Sequence, residues 1–392
     1  MKKITIIGGG LSGVYARYVL SREFQDAEIH LYEKSARLGG CIETLKSPYF
    51  FEKGPRTIKA SRSLELLNLI RELDLESDVI YSDSSAKKRY LYVGGKLVSI
   101  SSLIPRMIPS LLTEWKRPSF EGDETIDAFA KRRFGKYVSE MVFDPMTLGI
   151  FAGNSENLSV SACYPDLKKM EQTHGSLTRA LFNRQKKPKG LFTLKGGLEV
   201  LIERLIERGR GEIHLNAKID KIPEEETVLA VSASQAQAFF KSDPEAQAFF
   251  NAISFMPLTV VNLAFKEKNL TPKGFGYLVP SKEKEEVLGV VFDSSIFPEQ
   301  SIKGETRLSV MMRSGGEVEA ISAIKRHLGI DFLPIAIHKK VYQEAVPQYL
   351  VGHLQRVKRF KDHLKKHYPN VKCIGNYLSG VSLNSCLTQC LY

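Results

Sequence analysis

No uninterrupted apolar stretch in this 392-residue chain approaches the ~18 residues of a membrane span, which excludes a bilayer-crossing helix. Cysteine is scarce and scattered: Cys41, Cys163, Cys373, Cys386 and Cys390 form no C-x-x-C pair and have no close histidine partners at ligand spacing. A disulfide framework and a zinc ribbon are therefore excluded, and the expectation is free thiols and no metal site. Paired carboxylates, a Ser-His-Asp set and a Cys-His nucleophile are missing too, so hydrolytic chemistry has no candidate residues and no general base is assigned. The first strand signal begins at Ile4, with no room before it for a targeting peptide, and a cytoplasmic protein is expected.

What is present suits two or three globular domains: 43% of the residues are apolar and 26% charged. The net charge of +12 favours an electronegative partner, either an anionic substrate or an anionic lipid surface. Nucleic acid is excluded. The basic clusters Lys87-Lys88-Arg89, Lys131-Arg132-Arg133, Arg184 to Lys189 and Arg356 to His367 are interleaved with apolar residues and belong to no nucleic-acid module.

The strongest signal is the apolar strand Ile4–Ile7 followed by Gly8-Gly9-Gly10-Leu11-Ser12-Gly13. Gly8 permits the tight exit from the strand, Gly10 lets the backbone approach a pyrophosphate, and Gly13 lets the following helix lie close on the sheet. Leu11 and Ser12 open that helix, expected over 11–24, whose N-terminal N–H groups and dipole favour phosphate. Glu33 follows Gly13 by 20 residues, at the end of the strand Ile29–Tyr32 and just before Lys34. A carboxylate there holds ribose hydroxyls, so strand, turn, helix, strand and acid in register predict a dinucleotide site.

Further along, a helix is expected at Leu64 to Leu73 and a strand at Tyr90 to Val93. A mostly helical stretch follows, in which Leu103, Ile104, Met107, Ile108, Leu111 and Leu112 form an apolar stripe. Pro105 and Pro109 are expected to break this helix into short pieces. Beside Lys116 and Arg117, the stripe is read either as core or as a surface lying on a membrane. A helix at Leu198 to Glu207 leads to the strands Glu212–Leu215 and Thr227–Val231. The duplicated Ala-Gln-Ala-Phe-Phe at 236–240 and 246–250 reads as two amphipathic turns. The runs Thr259–Phe265, Val287–Phe292 and Arg307–Met312 alternate like antiparallel strands. A basic helix over 350–367 precedes a final strand and turn, Val371 to Ser382.

A second signature, Arg37-Leu38-Gly39-Gly40, follows the ribose acid and resembles the continuation seen in flavoproteins of the amine oxidase and glutathione reductase-like type. Other strings narrow the match: Phe51-Glu52-Lys53-Gly54-Pro55-Arg56, Lys88-Arg89-Tyr90-Leu91-Tyr92-Val93-Gly94-Gly95, Gly149-Ile150-Phe151-Ala152-Gly153, Leu194-Lys195-Gly196-Gly197-Leu198 and Gly274-Phe275-Gly276-Tyr277-Leu278-Val279-Pro280. Together with Gly375-Asn376-Tyr377 and Gly380-Val381-Ser382, they resemble the protoporphyrinogen oxidase family over nearly the whole chain.

The resemblance implies an α/β fold with a Rossmann-like FAD-binding domain of the glutathione reductase/p-hydroxybenzoate hydroxylase type. Residues 1–86, 196–225 and 366–392 would form that domain, 87–195 an inserted helical, membrane-associated domain, and 226–365 a mixed β-sheet substrate domain. It implies non-covalent FAD, held by Gly8, Gly10, Leu11, Ser12, Gly13, Glu33, Lys34, Arg37, Gly39, Gly40, Gly54, Pro55, Ile219, Gly375, Asn376, Val381 and Ser382. Arg37 would stand by the pyrophosphate and Arg56 beside the isoalloxazine. Arg89 would bind a substrate propionate, Leu278 and Met311 would press on the substrate rings, and Gly149 and Gly153 would admit the macrocycle. The activity implied is six-electron oxidation of a porphyrinogen in haem synthesis, with oxygen or a quinone as acceptor, peripheral membrane contact and a homodimer. Coproporphyrinogen oxidation on the same fold is the nearest alternative, and a flavin amine oxidase or desaturase the next. Family members continue the final helix beyond the two turns that follow Asn384 here, a departure read as weaker FAD retention, a shortened chain or a short natural end.

Overall fold

The computed structural model describes residues 2–182, 190–267, 269–301 and 304–390. The basic run Arg184 to Lys189 lies outside the described residues.

Five strands form a wholly parallel sheet in the order Glu212–His214, Glu28–Tyr32, Lys3–Ile7, Glu226–Leu229 and Val371–Cys373. Such sheets are covered on both faces, which is why their strands read as apolar runs. Ile4, Ile6, Ile29 and Leu31 pack toward the helices Leu11–Glu23 and Glu199–Arg208. Ile7, Leu229 and Val371 pack on the opposite face with Phe249, Phe250 and Phe360, from the helices Pro244–Asn251 and His353–His367. The duplicated Ala-Gln-Ala-Phe-Phe motif therefore covers this sheet, its second copy capped by Asp243, which accepts from the Glu245 and Ala246 N–H groups at 3.0 Å each.

This placement corrects one expected boundary. The division at 225/226 assigns the strand Glu226–Leu229 to the substrate domain, yet that strand pairs with Lys3–Ile7, Ile6 standing opposite Val228.

A second, seven-stranded sheet is mixed: Ala336–Pro347, Phe255–Phe265, Thr306–Met312, Val287–Val291, Gly276–Leu278, Tyr90–Val93 and Lys96–Ser99. One face carries Val261, Leu263, Leu308 and Val310 against the helix Glu317–Leu328. Alternation along the strands turns Asn262, Ser309 and Met311 to the other face. The edge strand Ala336–Pro347 and the helix Glu317–Leu328 have no counterpart in the sequence reading. The strand's Ile-His-Lys-Lys-Val-Tyr-Gln-Glu pattern is that of an edge exposed on one side.

Residues 100–182 form a helical layer around Phe129, Phe134, Phe143, Phe151 and Tyr164. The apolar stripe lies on one continuous helix, Ile100–Thr113, with Pro105 and Pro109 inside it, not on the short pieces expected. Both prolines lie on the exposed face of the helix, and the Thr113 hydroxyl donates to Pro109 O at 2.8 Å. Ile104, Ile108, Leu112 and Trp115 are exposed. No helix among the described residues is long and apolar enough to cross a membrane.

Candidate functional site

The strand Lys3–Ile7 ends at Gly8, whose φ of +107° an L side chain rarely adopts, and Tyr32 O accepts its N–H at 2.8 Å. A Cβ on Gly13 would overlap the Gly8 carbonyl oxygen, so only glycine lets the helix start lie on the strand exit. Leu11 is buried in the core and Ser12 is half-buried on the first turn. Gly10, the N-cap, offers no side-chain cap, and a Cβ there would meet nothing within 4 Å. No acid stands in the first turn.

Glu33 stands across this turn. Its Oε2 accepts the Gly9 N–H at 2.7 Å, and its Oε1 accepts the Ser35 N–H and hydroxyl at 2.8 and 2.7 Å. Lys34 beside it is exposed. The second glycine turn meets the first directly: Gly39 N–H donates to Gly9 O at 2.8 Å, and a Cβ on Gly40 would stand 3.2 Å from Gly10 Cα. Arg37 braces this junction. Its guanidinium donates to Gly40 O (2.9 Å), Ile42 O (2.6 Å) and Glu199 Oε1 (3.1 Å), so those donors are directed at the loop where the family pattern expects a pyrophosphate contact.

Gly54 lies against Cys41, whose carbonyl oxygen a Cβ at 54 would overlap. Past Pro55, Arg56 turns into the protein and is buried. Its Nη1 donates to Asn262 Oδ1 at 3.3 Å and lies 3.5 Å from Asp293 Oδ1, while Nη2 donates to Glu52 O at 3.3 Å. Ser309 Oγ reaches Asn262 Oδ1 and Asp293 Oδ2, both at 2.6 Å. Arg56 Nε is buried without a hydrogen-bond partner among the described residues. The neighbouring Glu52 carboxylate accepts the Leu198 N–H (2.8 Å) and the Thr44 hydroxyl (2.9 Å), and burial pushes its pKa up to about 7.

Asn262, Asp293, Ser309 and Glu52 were absent from the sequence-level candidates. Asn262 alone left a signal, a single amide inside the apolar run Val260-Val261-Asn262-Leu263-Ala264 that has to be hydrogen-bonded if buried.

The mixed sheet carries the remaining candidates. Leu278, Gly289, Met311 and Val260 stand opposite one another in register across four strands. A Cβ on Gly289 would come 2.9 Å from Leu278 Cδ2, so the glycine leaves room for the leucine. Gly149, at the end of the helix Asp144–Phe151, faces the same leucine, its Cβ position 2.5 Å from Cδ2. Met311 packs beside Ile80, Val291, Ile296 and Phe297.

Gly153 lies close against Gln348. A Cβ there would overlap Gln348 Oε1, and Gln348 is anchored by donating to Phe151 O at 2.9 Å. A cavity of about 300 Å³ adjoins this helix end, lined by Leu148, Gly153, Asn157, Met256, Arg313 and Gln348. Arg89 is exposed at the start of the strand Tyr90–Val93, its guanidinium 4.6 Å from the Phe275 ring centroid. No carboxylate among the described residues lies within ion-pair distance of it.

The C-terminal pieces return to the parallel sheet. Gly375 N–H donates to Gln389 Oε1 at 2.9 Å, and the Asn376 carbonyl accepts the Tyr349 hydroxyl. Val381 packs against the helical layer, and Ser382 caps the helix Leu383–Thr388, its Oγ accepting the Ser385 N–H at 3.1 Å. Asn384 Oδ1 accepts the Leu66 N–H at 3.1 Å, tying that helix to Leu64–Glu72. Ile219 is half-buried in the connection 215–225, which is fastened to Glu33 through the Ala217 N–H, donated to Glu33 O at 2.9 Å.

A model of the flavin containing amine oxidoreductase family matches residues 11–383. Human protoporphyrinogen oxidase is 30% identical, covering 98% of this chain and 96% of its own. The Schizosaccharomyces pombe protoporphyrinogen oxidase is 28% identical over the same shares. Coproporphyrinogen III oxidase of Staphylococcus aureus is 24% identical, covering 99% and 97%. Among solved structures, one from Exiguobacterium sp. superposes with a TM-score of 0.87 at 22% identity, covering 99% of this chain and 97% of that one. Reduced UDP-galactopyranose mutase gives 0.76 at 14%, covering 100% and 92%. With two glycine turns locked together beside an acid, and similarity along its full length, the chain belongs to the flavin containing amine oxidoreductase family, alongside the protoporphyrinogen oxidases.

Proposed function

We propose that the chain binds FAD non-covalently and oxidises protoporphyrinogen IX to protoporphyrin IX in haem synthesis. The observation that carries this reading is the end-to-end similarity to human protoporphyrinogen oxidase, 30% identical over 98% of this chain and 96% of its own. The geometry fits the cofactor. An uncapped helix N-terminus opens on free space at Gly10, and a buried guanidinium nitrogen of Arg56 lacks a partner among the described residues. Bound FAD supplies two-electron oxidation, so removing six electrons takes three cycles.

In this reading the N–H groups from Gly10 to Gly13, with Leu11 and Ser12, face the pyrophosphate, and Glu33 offers its remaining lone pairs to ribose hydroxyls. Lys34 and Ile219 border the adenosine, and Arg37, Gly39 and Gly40 hold the two turns together. Gly54 and Pro55 deliver Arg56 to the isoalloxazine, where its charge favours the electron-rich reduced state. Gly375, whose own N–H is taken by Gln389, shapes the turn from which Asn376, Val381 and Ser382 present backbone groups to the ring carbonyls. Arg89 takes a propionate bidentately. Leu278 and Met311 form an apolar wall, and Gly149 lets Leu278 move.

The parallel sheet and its helices constitute a Rossmann-like FAD domain, to which the strand Glu226–Leu229 and the helices Pro244–Asn251 and His353–His367 also belong. The exposed Ile104, Ile108, Leu112 and Trp115, beside Arg106, Lys116 and Arg117, support peripheral contact with the cytoplasmic face of a membrane. Oxygen or a quinone takes the electrons.

Mixing the purified yellow protein with protoporphyrinogen IX in air and following porphyrin fluorescence tests the reading, with coproporphyrinogen III as the parallel substrate. Faster growth with coproporphyrinogen would transfer the assignment to that substrate. Absence of growth with both, in a protein that carries flavin, would overturn it.

A further inference from the structure

Outside the flavin groove, the strands Glu28–Tyr32 and Glu212–His214 bring a second set of chemically capable side chains together. Their parallel register sets His30 beside Glu212 and Tyr32 beside His214. Ile29 and Leu31 pack toward the helix Leu11–Glu23, so alternation along the strand turns His30 to the opposite face of the sheet.

His30 Nδ1 and His214 Nε2 are 3.0 Å apart, and Glu212 Oε2 stands 3.6 Å from each. A hydrogen bond between the rings accounts for the first distance. It does not account for the other two, which are too long for hydrogen bonds to the carboxylate. Donor atoms at three corners of a tetrahedral zinc site, with metal–ligand bonds of ~2.0–2.1 Å, stand about 3.3–3.4 Å from one another. The three observed separations bracket that value.

The surrounding shell fits as well. His30 Nε2 lies 2.7 Å from Glu28 Oε1, which assigns the ring proton to Nε2 and leaves the Nδ1 lone pair directed at His214 and Glu212. The Tyr32 ring stacks on His214 with centroids 4.5 Å apart and planes 15° from parallel, which fixes the second imidazole. Glu212 is exposed, so a water has access to the fourth position.

We infer that His30, Glu212 and His214 form a binding site for one divalent transition cation of the zinc type. The ion joins the edge strand Glu212–His214 to its neighbour. His214 O accepts the Glu33 N–H at 2.9 Å, so occupancy of the site stiffens the main chain that carries the ribose acid. The metal site itself stands whether or not the flavin reading holds.

Equilibrium dialysis of the flavin-loaded protein against micromolar zinc chloride, followed by elemental analysis, reads the site directly. One zinc per chain is expected. His214→Ala, in which a half-exposed ring is removed, is expected to weaken binding by about 100-fold or more. Glu28→Gln, which keeps every ligand and alters only the outer shell, is expected to weaken it about 10–100-fold and serves if the first variant folds poorly. Failure of the wild-type protein to retain zinc, or equal retention by His214→Ala, would overturn the proposal.

Discussion

Arg56 Nη1 and Asn262 Oδ1 lie 3.3 Å apart at the meeting of two sheets, and both side chains are buried. The arginine arrives from the loop beyond the glycine turns and the asparagine from the middle of the mixed sheet, so this contact joins the cofactor side to the proposed substrate side. Asn262 Nδ2 also donates to Glu52 O at 3.2 Å. Replacing Asn262 by alanine would leave a buried cation, a hydroxyl and a carbonyl each short of a partner. The expected loss of stability is about 2–4 kcal/mol, measured by urea unfolding. A change within error would mean that the network closes without the amide.

Arg56 itself is expected to act on the cofactor as well as on the fold's stability. Arg56→Gln removes a cation from beside a ring that becomes electron-rich on reduction. The two-electron midpoint potential is expected to fall by roughly 30–60 mV, where 30 mV corresponds to about 1.4 kcal/mol. Dye-equilibration titration of the bound flavin gives the number, and an unchanged potential would place Arg56 away from the ring.

Arg89 makes no carboxylate contact among the described residues, and its place over Phe275 leaves the guanidinium fork free. Arg89→Ala is expected to weaken porphyrinogen binding by ~1.5–3 kcal/mol while flavin content stays as in the parent. The readout is KM alongside the flavin-to-protein absorbance ratio.

Glu52 makes stability depend on pH in a defined direction. Its carboxyl has a pKa of about 7 when folded and an ordinary value of 4.5 when unfolded, so between these values the folded chain binds more protons. Its contribution is full below pH 4.5 and is lost as pH rises through 7. Glu52→Gln, which keeps the shape and an acceptor for the Leu198 N–H, should flatten that part of the profile. The difference in slope is expected to sum to on the order of 2 kcal/mol across the window. Unfolding curves of both proteins at pH 5 and pH 8 provide the comparison.

Gly149 and Leu278 allow stability and binding to be separated. The atom that a Cβ at 149 would meet is the far end of the flexible, half-buried Leu278 side chain. Gly149→Ala is therefore expected to change stability by less than about 1 kcal/mol while raising KM through the displaced leucine. A matching rise in KM in Leu278→Ala, with no further rise in the double variant, would show that the two act as one element.

Much of the cofactor side was legible because its signals are local. The helix Leu11–Glu23 starts where its glycines require, and Glu33 sits where the strand ends. Arg37 was legible as a residue but not as a contact, since its partner Glu199 lies 162 positions away. Gly153 shows the same limit: its lack of a side chain is explained by Gln348, which no local pattern names. The prolines at 105 and 109 misled because their penalty falls when they stand on a solvent-facing side of a helix, and here both are exposed. The histidine pair His30 and His214 escaped detection because ligand spacing along a chain cannot register partners that meet only through strand pairing.

The parallel sheet has a consequence for how the molecule is made. Its central strand, Lys3–Ile7, is flanked by Glu28–Tyr32 and Glu226–Leu229, and the latter is flanked in turn by Val371–Cys373. Every pairing beyond the first joins stretches far apart in the chain, the kind of non-local contact that slows folding. During synthesis the glycine turn would emerge early on a sheet that stays half-built, with apolar edges open, until the last strand arrives. Open apolar edges of this kind make a partly made chain prone to aggregate.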